Sequence, residues 1–447
     1  MAEVIEKTEN KKGYKKTKLG WVPEDWNIKN LELACEIITD YVAAGSFADL
    51  KAKVQYNDKQ DYAQLIRTVD IKNKFKNKGF VYINKEAFEY LYRVNLNEDS
   101  IILPNIGANI GECYLLRANE LPYKNNVLGP NAILLKTKQN NINYIYQYCT
   151  SEQFKKDLFL IMGASGQPKF NKTELKKISI LFPMIKEEQE KIAEILSAWD
   201  DGIATLEKLI EQKEVFHKAL MKNLLVGKKR LAEFNKNSEY KRTRLGQIPA
   251  DWQIKPLKLL FDKRMQKYSG NTEHNIFTNS ATKGVVLQNE YFDRSIVTEE
   301  NTSNYYVVGE NDFMYNPRIS QSAPAGPINR NKLGITGIAS PLYTIFKAKH
   351  NTIIDFYEQY FSSNLWNNSM FMVANQGARH DRLNITSNDF MNMPLPYPPI
   401  EEQEKIAQIL IESYKEIQIL NSKLEKLKEQ KKGLMQKLLT GQIRVKV

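Results

Sequence analysis

Thiol and imidazole groups are scarce in this chain. Its 447 residues include three cysteines and four histidines, all isolated from one another. None shows the paired Cys or His spacing of a zinc site, and an odd set of scattered cysteines does not form an even disulfide framework. We therefore expect no metal site, and thiols that stay buried and reduced, as they do in the cytoplasm.

Long apolar runs are also missing. No stretch approaches the roughly 18 consecutive apolar residues that a membrane-spanning helix needs. The N-terminus is polar and rich in lysine, without the apolar centre of a signal peptide. These absences predict a cytoplasmic protein with no membrane partner.

Recognisable catalytic motifs are absent as well. The glycine-bearing segment 105–111 is neither a phosphate loop nor a dinucleotide fingerprint, and a turn is the better interpretation. The segment Asn316–Pro317–Arg318 lacks the second proline of an amino-methyltransferase motif. Acidic residues are too numerous for inspection to exclude a nuclease cluster, but none stands out. The chain is therefore expected to be a binding protein with no catalytic residue and no bound cofactor.

Positive charge, by contrast, is in excess. The formal net charge is +12 and the isoelectric point is about 9.2. A hydrophobic fraction of 42% is enough for folded cores. The excess charge favours a polyanionic partner such as nucleic acid, although a merely basic soluble protein remains the alternative.

The chain also repeats itself. Segment 17–31 returns at 243–257 with nine of fifteen positions identical, and 187–193 recurs letter for letter at 401–407. Repeats of this length are duplicated domains, since solenoid units are far shorter. Duplication predicts a pseudo-twofold α+β protein in which two globular domains alternate with two long helices. The expected segments are a flexible tail at 1–16, a first domain at 17–185, a central helix at 186–227, a linker at 228–242, a second domain at 243–399 and a C-terminal helix at 400–447.

Apolar residues recur every three or four positions in both helices, which is the pattern of a coiled-coil seam. A link of 16 residues spans at most about 55 Å, less than the roughly 60 Å of a forty-residue helix. The helices are therefore expected to run antiparallel, with the two domains at opposite ends. The predicted seam comprises Leu196, Trp199, Ile203, Leu206, Ile210, Leu220 and Leu224 of the first helix, with Leu410, Ile417, Leu420, Leu424, Leu427, Leu434 and Leu438 of the second.

Basic and amide side chains suited to phosphates and base edges cluster in a few segments. One is a lysine-rich run at 72–78, for which a solvated turn is the alternative. The others form loops at corresponding positions of the two copies, and the apolar-Asn pairs that end two of them are candidate helix starts, with Asn171 and Asn384 as N-caps. The candidate DNA-binding residues are Lys72, Asn73, Lys74, Lys76, Asn77, Lys78, Asn105, Ser165, Gln167, Lys169, Arg318, Ser320, Gln321, Ser322, Arg379, His380 and Arg382.

Taken together, these motifs resemble the specificity subunit of type I restriction–modification enzymes. The resemblance rests on the duplicated Leu-Gly-x-[Val/Ile]-Pro-x-Asp-Trp segments, the Pro-led Glu-Glu-Gln-Glu-Lys-Ile-Ala segments and the Leu-Met-x-x-Leu-Leu-x-Gly helix ends. It implies two target recognition domains held apart by antiparallel helices, on a subunit without chemistry of its own. The implied partners are double-stranded DNA, two methyltransferase subunits that use S-adenosylmethionine, and motor–nuclease subunits that need ATP and magnesium.

The two domains differ in sequence outside the shared segments. Two identical recognition domains related by twofold symmetry would bind a palindromic sequence. Two diverged domains are therefore expected to bind two unlike half-sites. Exposed charges at the helix starts, including Glu187, Glu190, Lys191, Glu401, Glu404 and Lys405, are the expected docking surface for the methyltransferase subunits.

Three alternatives remain open from the sequence alone. One is a specificity subunit of a bipartite system whose nuclease and methyltransferase are fused. The others are a self-sufficient nuclease or methyltransferase, and a coiled-coil scaffold that never touches DNA.

Overall fold

The computed structural model describes residues 12–107, 109–162, 168–235, 239–270, 274–291, 302, 304–374 and 381–447. The chain divides into two compact units. Unit 1 holds the described residues up to Glu207 together with Lys423–Val447, and unit 2 holds Lys208–Ser422. Each unit thus combines one globular domain with part of each long helix.

Unit 1 contains the first copy of the repeat. Its strands are β1 (Tyr14–Thr17), β2 (Gly20–Pro23), β3 (Trp26–Asn30), β4 (Ile37–Asp40), β5 (Ala63–Ile66), β6 (Val81–Ile83), β7 (Ser100–Pro104), β8 (Tyr114–Leu116), β9 (Asn126–Leu128), β10 (Ala132–Lys136) and β11 (Ser179–Pro183). Its helices are α1 (Leu31–Ala34), α2 (Phe47–Lys53), α3 (Thr68–Lys72), α4 (Lys85–Tyr90), α5 (Ile142–Cys149), α6 (Glu152–Ile161), α7 (Lys172–Lys176) and the start of α8 (Lys186–Leu224).

Unit 2 contains the second copy. Its strands are β12 (Tyr240–Thr243), β13 (Gly246–Pro249), β14 (Gln253–Pro256), β15 (Phe261–Lys263), β16 (Ile276–Ser280), β17 (Gly284–Leu287), β18 (Tyr306–Val308), β19 (Phe313–Tyr315), β20 (Ile328–Arg330), β21 (Gly337–Ala339), β22 (Thr344–Ala348) and β23 (Pro394–Tyr397). Its helices are α9 (Leu257–Leu260), α10 (Gln288–Tyr291), α11 (Ile354–Ser362), α12 (Asn367–Val373), α13 (Ser387–Met391) and the start of α14 (Ile400–Leu439).

The two copies share one sheet topology. Each has a four-stranded antiparallel sheet, ordered β4-β10-β7-β8 in unit 1 and β15-β22-β19-β20 in unit 2. Each also has a mixed sheet with one parallel pair, β6-β5-β9 in unit 1 and β17-β16-β21-β18 in unit 2. The antiparallel pairing of β18 with β21 is reduced in unit 1 to an isolated bridge between Asn95 and Val127 of β9. The predicted α+β class and internal repeat are therefore confirmed.

The cores follow from the sequence pattern. Strands β7 and β10, at the centre of the four-stranded sheet, and strand β11 are buried along their whole length, as continuous apolar runs predict. Aromatic side chains fill the centre of each unit, with Trp26, Tyr144 and Phe182 fully buried in unit 1. In unit 2, Phe261 lies 5.3 Å from the ring of Phe346.

Helix starts follow side-chain caps, as their sequences suggest. Asn171 accepts a hydrogen bond from the backbone of Glu174 and so caps α7, as predicted. The prediction for the second copy is wrong: Thr386, not Asn384, caps α13 by accepting from the backbone of Asp389. Threonine is nearly as good a cap, so the pattern alone did not separate the two positions.

The long helices run antiparallel, which confirms that prediction. In unit 1 the Nζ of Lys428 lies 3.0 Å from Glu207 and that of Lys431 lies 2.5 Å from Asp200. In unit 2 the Nζ of Lys213 lies 2.7 Å from Glu416. Later residues of one helix therefore face earlier residues of the other in both units. Every predicted seam residue is buried or half-buried.

A cluster that we call clasp 1 explains why the duplicated motifs keep their residues. In unit 1 the guanidinium of Arg444 donates to the carboxylates of Glu188 and Asp25, at 2.7 Å for the shortest contact to each. The indole of Trp26 donates to the same Glu188 at 3.2 Å. Gly441 has a φ of +69°, and a side chain there would collide with Pro23. The end of α14 is thereby fixed to the start of the first copy.

Clasp 2 repeats these contacts in unit 2. Arg230 donates to Glu402 at 2.6 Å and to Asp251 at 2.9 Å, and the indole of Trp252 donates to Glu402 at 2.9 Å. Gly227, with a φ of +67°, takes the place of the glycine in clasp 1. Burial differs, however: the side chain of Arg230 is 4% exposed, whereas that of Arg444 is 39% exposed.

Candidate nucleic-acid interface

Two loops that lie far apart in sequence meet in unit 1. The first follows β7 and the second precedes α7. Ile106 and Lys169 form an isolated antiparallel bridge between them, and the amide of Asn105 donates to the carbonyl of Phe170 at 3.1 Å. Lys169 is exposed. We call this loop pair reading surface 1.

Unit 2 joins its corresponding loops in the same way. Arg318 and Arg382 form an isolated antiparallel bridge, in which the backbone N–H of Leu383 donates to Pro317 at 2.9 Å. The loops again follow the central strand of the four-stranded sheet, β19, and precede the last short helix, α13. Arg318 and the three residues 320–322 are exposed. We call this loop pair reading surface 2.

The described residues of reading surface 2 bring two arginines to one carboxylate. The side chain of Asp381 lies 3.4 Å from the guanidinium of Arg382. That hydrogen bond is the main cause that lowers the pKa of Asp381, and the charge of Arg318 adds to it. One carboxylate therefore faces two arginines, which leaves positive charge at the surface. The Nε of Arg382 is buried without a partner, so the structure leaves one of its donors unused.

The backbone below this surface is firmly held. Asn316 donates to the carbonyl of Asn279 at 3.1 Å, and Asn279 donates to the carbonyl of Met314 at 2.6 Å. Gly326 has a φ of +77°, and a Cβ there would lie 2.1 Å from the carbonyl oxygen of Asn316. These contacts fix the backbone of the loop, so its arginines extend from a rigid base.

Two side chains of the lysine-rich run at 72–78 bind other residues of unit 1. Lys72 donates to Asn109 at 2.7 Å and to Glu112 at 2.8 Å, both in the loop after β7. Asn77 donates to the buried carboxylate of Asp70 at 2.7 Å. These two side chains are therefore already engaged within the protein. Lys72 is nevertheless exposed, as are the remaining members Asn73, Lys74, Lys76 and Lys78.

The sequence indicated loops at matched positions of the two copies but did not predict that they pair. Their matched positions in the duplicated chain were the available signal. Asn105 is half-buried and ties the loops of reading surface 1 together, so it supports that surface rather than extending from it. The candidates Ser165, Gln167, Arg379 and His380 lie outside the described residues.

The described part of the chain contains neither a candidate metal site nor a candidate membrane-spanning helix. There, no group of three His, Cys, Asp or Glu side chains comes together in a way that could hold a metal ion. Within the same residues, no helix combines the length and apolar character needed to cross a bilayer.

Comparison with known proteins identifies the family. Residues 23–215 and 249–429 match the model of the type I restriction modification DNA specificity domain. The chain belongs to this family. The two matches cover both copies of the repeat, and the family assigns the chain to DNA recognition, with catalysis on partner subunits.

Two relatives from Methanocaldococcus jannaschii are similar over nearly their whole length. The putative type I restriction enzyme MjaX specificity subunit is 29% identical, covering 97% of each chain. The type I restriction enzyme MjaVIII specificity subunit is 27% identical, covering 95% of this chain and 94% of the relative.

A solved structure describing complex assembly and conformational transition of the type I R-M system has the same fold. Its TM-score is 0.53 at 13% sequence identity, covering 94% of this chain and 99% of the solved one.

Proposed function

We propose that reading surfaces 1 and 2 recognise two unlike half-sites of an asymmetric bipartite target in double-stranded DNA. The observation that carries this proposal is the loop pairing itself. Both units join the same two loops by the same kind of bridge, yet Ile106 and Lys169 in one correspond to Arg318 and Arg382 in the other. Two related recognition domains that bind different DNA sequences need the same backbone arrangement with different side chains.

The two surfaces suit different contacts. A guanidinium donates two parallel hydrogen bonds to the O6 and N7 of guanine, which makes Arg318 and Arg382 candidates for base recognition. Lysines on flexible stems suit phosphates, which is the role we assign to Lys74, Lys76 and Lys78. Lys72 positions the loop after β7 through its contacts with Asn109 and Glu112.

The specificity subunit would act in the cytoplasm as part of a larger complex. The family supports partners that methylate and cut DNA, and we assign these roles to two methyltransferase subunits and to motor–nuclease subunits on separate chains. S-adenosylmethionine, ATP and Mg²⁺ would be bound by those partners. The alternative is a partner in which nuclease and methyltransferase share one polypeptide.

Methylation mapping tests the proposal. Genomic DNA from cells that carry this chain with its cognate modification subunit is compared with DNA from cells that lack the chain. We expect methyl-adenine at two unlike half-sites separated by a fixed gap. A palindromic pattern would contradict distinct readers, and no pattern from an assembled complex would contradict the proposed function.

A further inference from the structure

Two apolar side chains stand exposed at the end of helix α6. Phe159 is 73% exposed and Leu160 is 78% exposed. The preceding residues on the other face, Phe154 and Leu158, are buried in the core of unit 1. The helix therefore has the apolar face that its fold requires, and the exposed pair is additional to it.

Helix α12 of unit 2 carries the same arrangement. Phe371 and Met372 are 48% and 52% exposed, while Trp366 and Met370 are buried. In unit 1, α6 follows α5, the first helix after strand β10; in unit 2, α12 follows α11, the first helix after strand β22. Each of the two helices precedes the second loop of its reading surface. The exposed pair therefore occurs once in each copy, at the same place. We call these pairs end patches 1 and 2.

The surroundings of the end patches differ between the copies. Lys155 and Lys156 lie beside end patch 1, in a shallow groove of about 370 Å³ that both exposed side chains line together with Glu152, which pairs with Lys155 at 3.2 Å. The aligned positions on α12 are Asn367 and Asn368. The charge has changed while the apolar pair has been kept.

This combination argues against DNA as the occupant. Phosphate binding depends on positive charge, which end patch 2 lacks at these positions. Recognition of unlike half-sites requires unlike side chains, whereas the two patches are alike. A feature common to both copies should bind something common to both.

Covering exposed apolar side chains removes apolar surface from water, and their recurrence at the same place in both copies indicates a protein-binding site. Two alike patches on one chain fit two copies of a single partner. We propose that end patches 1 and 2 each dock one methyltransferase subunit, in addition to the charged helix starts that the sequence suggests for the same partner. The inference rests on the proposed function, which supplies the two like partners.

The test uses the full-length chain and its cognate modification subunit. Three variants are prepared: Phe159→Ser with Leu160→Ser, Phe371→Ser with Met372→Ser, and all four changes together. Phe47→Ser is the matched control, since Phe47 is 83% exposed and lies in unit 1 outside the end patches. Native mass spectrometry and sedimentation give the number of bound subunits, and titration gives each affinity.

We expect the unchanged chain and the control to bind two modification subunits. Each two-residue variant should bind one of the two roughly tenfold or more weakly, since large apolar side chains dominate such contacts. The fourfold variant should weaken both. Because the altered side chains are exposed, circular dichroism should show all variants folded.

Other results overturn the inference in distinguishable ways. If the variants bind two subunits with unchanged affinity, the end patches are not docking sites, although the proposed function stands. If the variants keep both subunits but lose affinity for target DNA, the patches contact DNA instead. If the unchanged chain binds no modification subunit and directs no methylation, the proposed function fails and the inference fails with it.

Discussion

The two copies of the repeat agree in their frame and differ in their loops. Both have the same order of strands in the four-stranded sheet and the same clasp of arginine, glutamate, aspartate and tryptophan. The loops that meet at the reading surfaces have different side chains and different supports. Unit 1 holds its loop through Lys72, whereas in unit 2 the backbone carbonyl of Asn279 accepts a hydrogen bond from the side chain of Asn316.

This contrast separates two kinds of constraint. Clasp residues contact one another across the whole length of each copy, so changing one leaves a buried partner without its hydrogen bonds. Loop side chains at the reading surfaces extend into solvent, so they can vary without disturbing the core. A duplicated chain can therefore acquire two readers while keeping one frame.

The largest expected effect comes from breaking the clasps. Arg230→Ala leaves Glu402, whose side chain is 1% exposed, without its ionic partner, which should cost about 3–5 kcal/mol in unfolding free energy. Arg444→Ala also leaves a carboxylate that is 1% exposed, that of Glu188, but should cost less, about 1–3 kcal/mol, because the side chain of Arg444 is 39% exposed and water can take its place. Hydrogen exchange of each unit measures both losses. Exposed Lys229→Ala is the control, and equal losses in the two clasps would contradict the role of burial.

A smaller effect is expected at the reading surfaces. Arg318→Ala should weaken binding to the target by about 1–3 kcal/mol and relax the sequence requirement at one half-site. The sequence requirement at the other half-site should stay unchanged. Lys76→Ala should instead weaken binding to all sequences and reduce its salt dependence. Methylation mapping and salt titrations distinguish the two. Lys258→Ala, on α9, is the charge control; a change at both half-sites in Arg318→Ala would refute independent readers.

The described long helices contain glycine only in the part that belongs to unit 1, which should lower the stability of that unit. Gly202 and Gly433 both lie in the part of the helix pair that belongs to unit 1, and a Cβ at either would meet nothing within 4 Å. Alanine at each should stabilise unit 1 by about 0.5–1 kcal/mol. Gly227→Ala is the contrasting variant, because its φ of +67° and the nearby Pro249 should make alanine destabilising. Thermal unfolding measures all three.

The smallest expected effect depends on pH. The hydrogen bond from Arg444 lowers the pKa of Asp25 below its ordinary value of 3.8. The lowered pKa means that the ionised carboxylate favours the folded state, so this stabilisation is complete above the ordinary pKa and is lost as pH falls through the lowered value. Unit 1 should therefore lose stability in acid more steeply in the unchanged chain than in Asp25→Asn. Parallel acid titrations would contradict this.

Much of the fold could be predicted from the chain because duplication makes the pattern visible twice. The seam positions follow from apolar spacing, and the antiparallel direction follows from the length of the link between the helices. The wrong cap in the second copy, Asn384 instead of Thr386, shows the limit of such patterns, since neighbouring polar residues compete for one role.

The candidate site was only partly predictable. Lys72 and Asn77 have the composition of a phosphate-binding run, yet both are engaged by carboxylates within the protein. Sequence spacing does not show such partners, because Glu112 lies forty residues from Lys72 along the chain.

The sequence by itself determined the duplicated plan, the two long helices and the residues that recur in both copies, because these depend on local periodicity and identity. Only the tertiary structure decided which recurring residues meet in the clasps, which loops pair into reading surfaces and which apolar side chains remain exposed. Those outcomes depend on contacts between residues distant in sequence, and such contacts form only when the sheets and helices pack together.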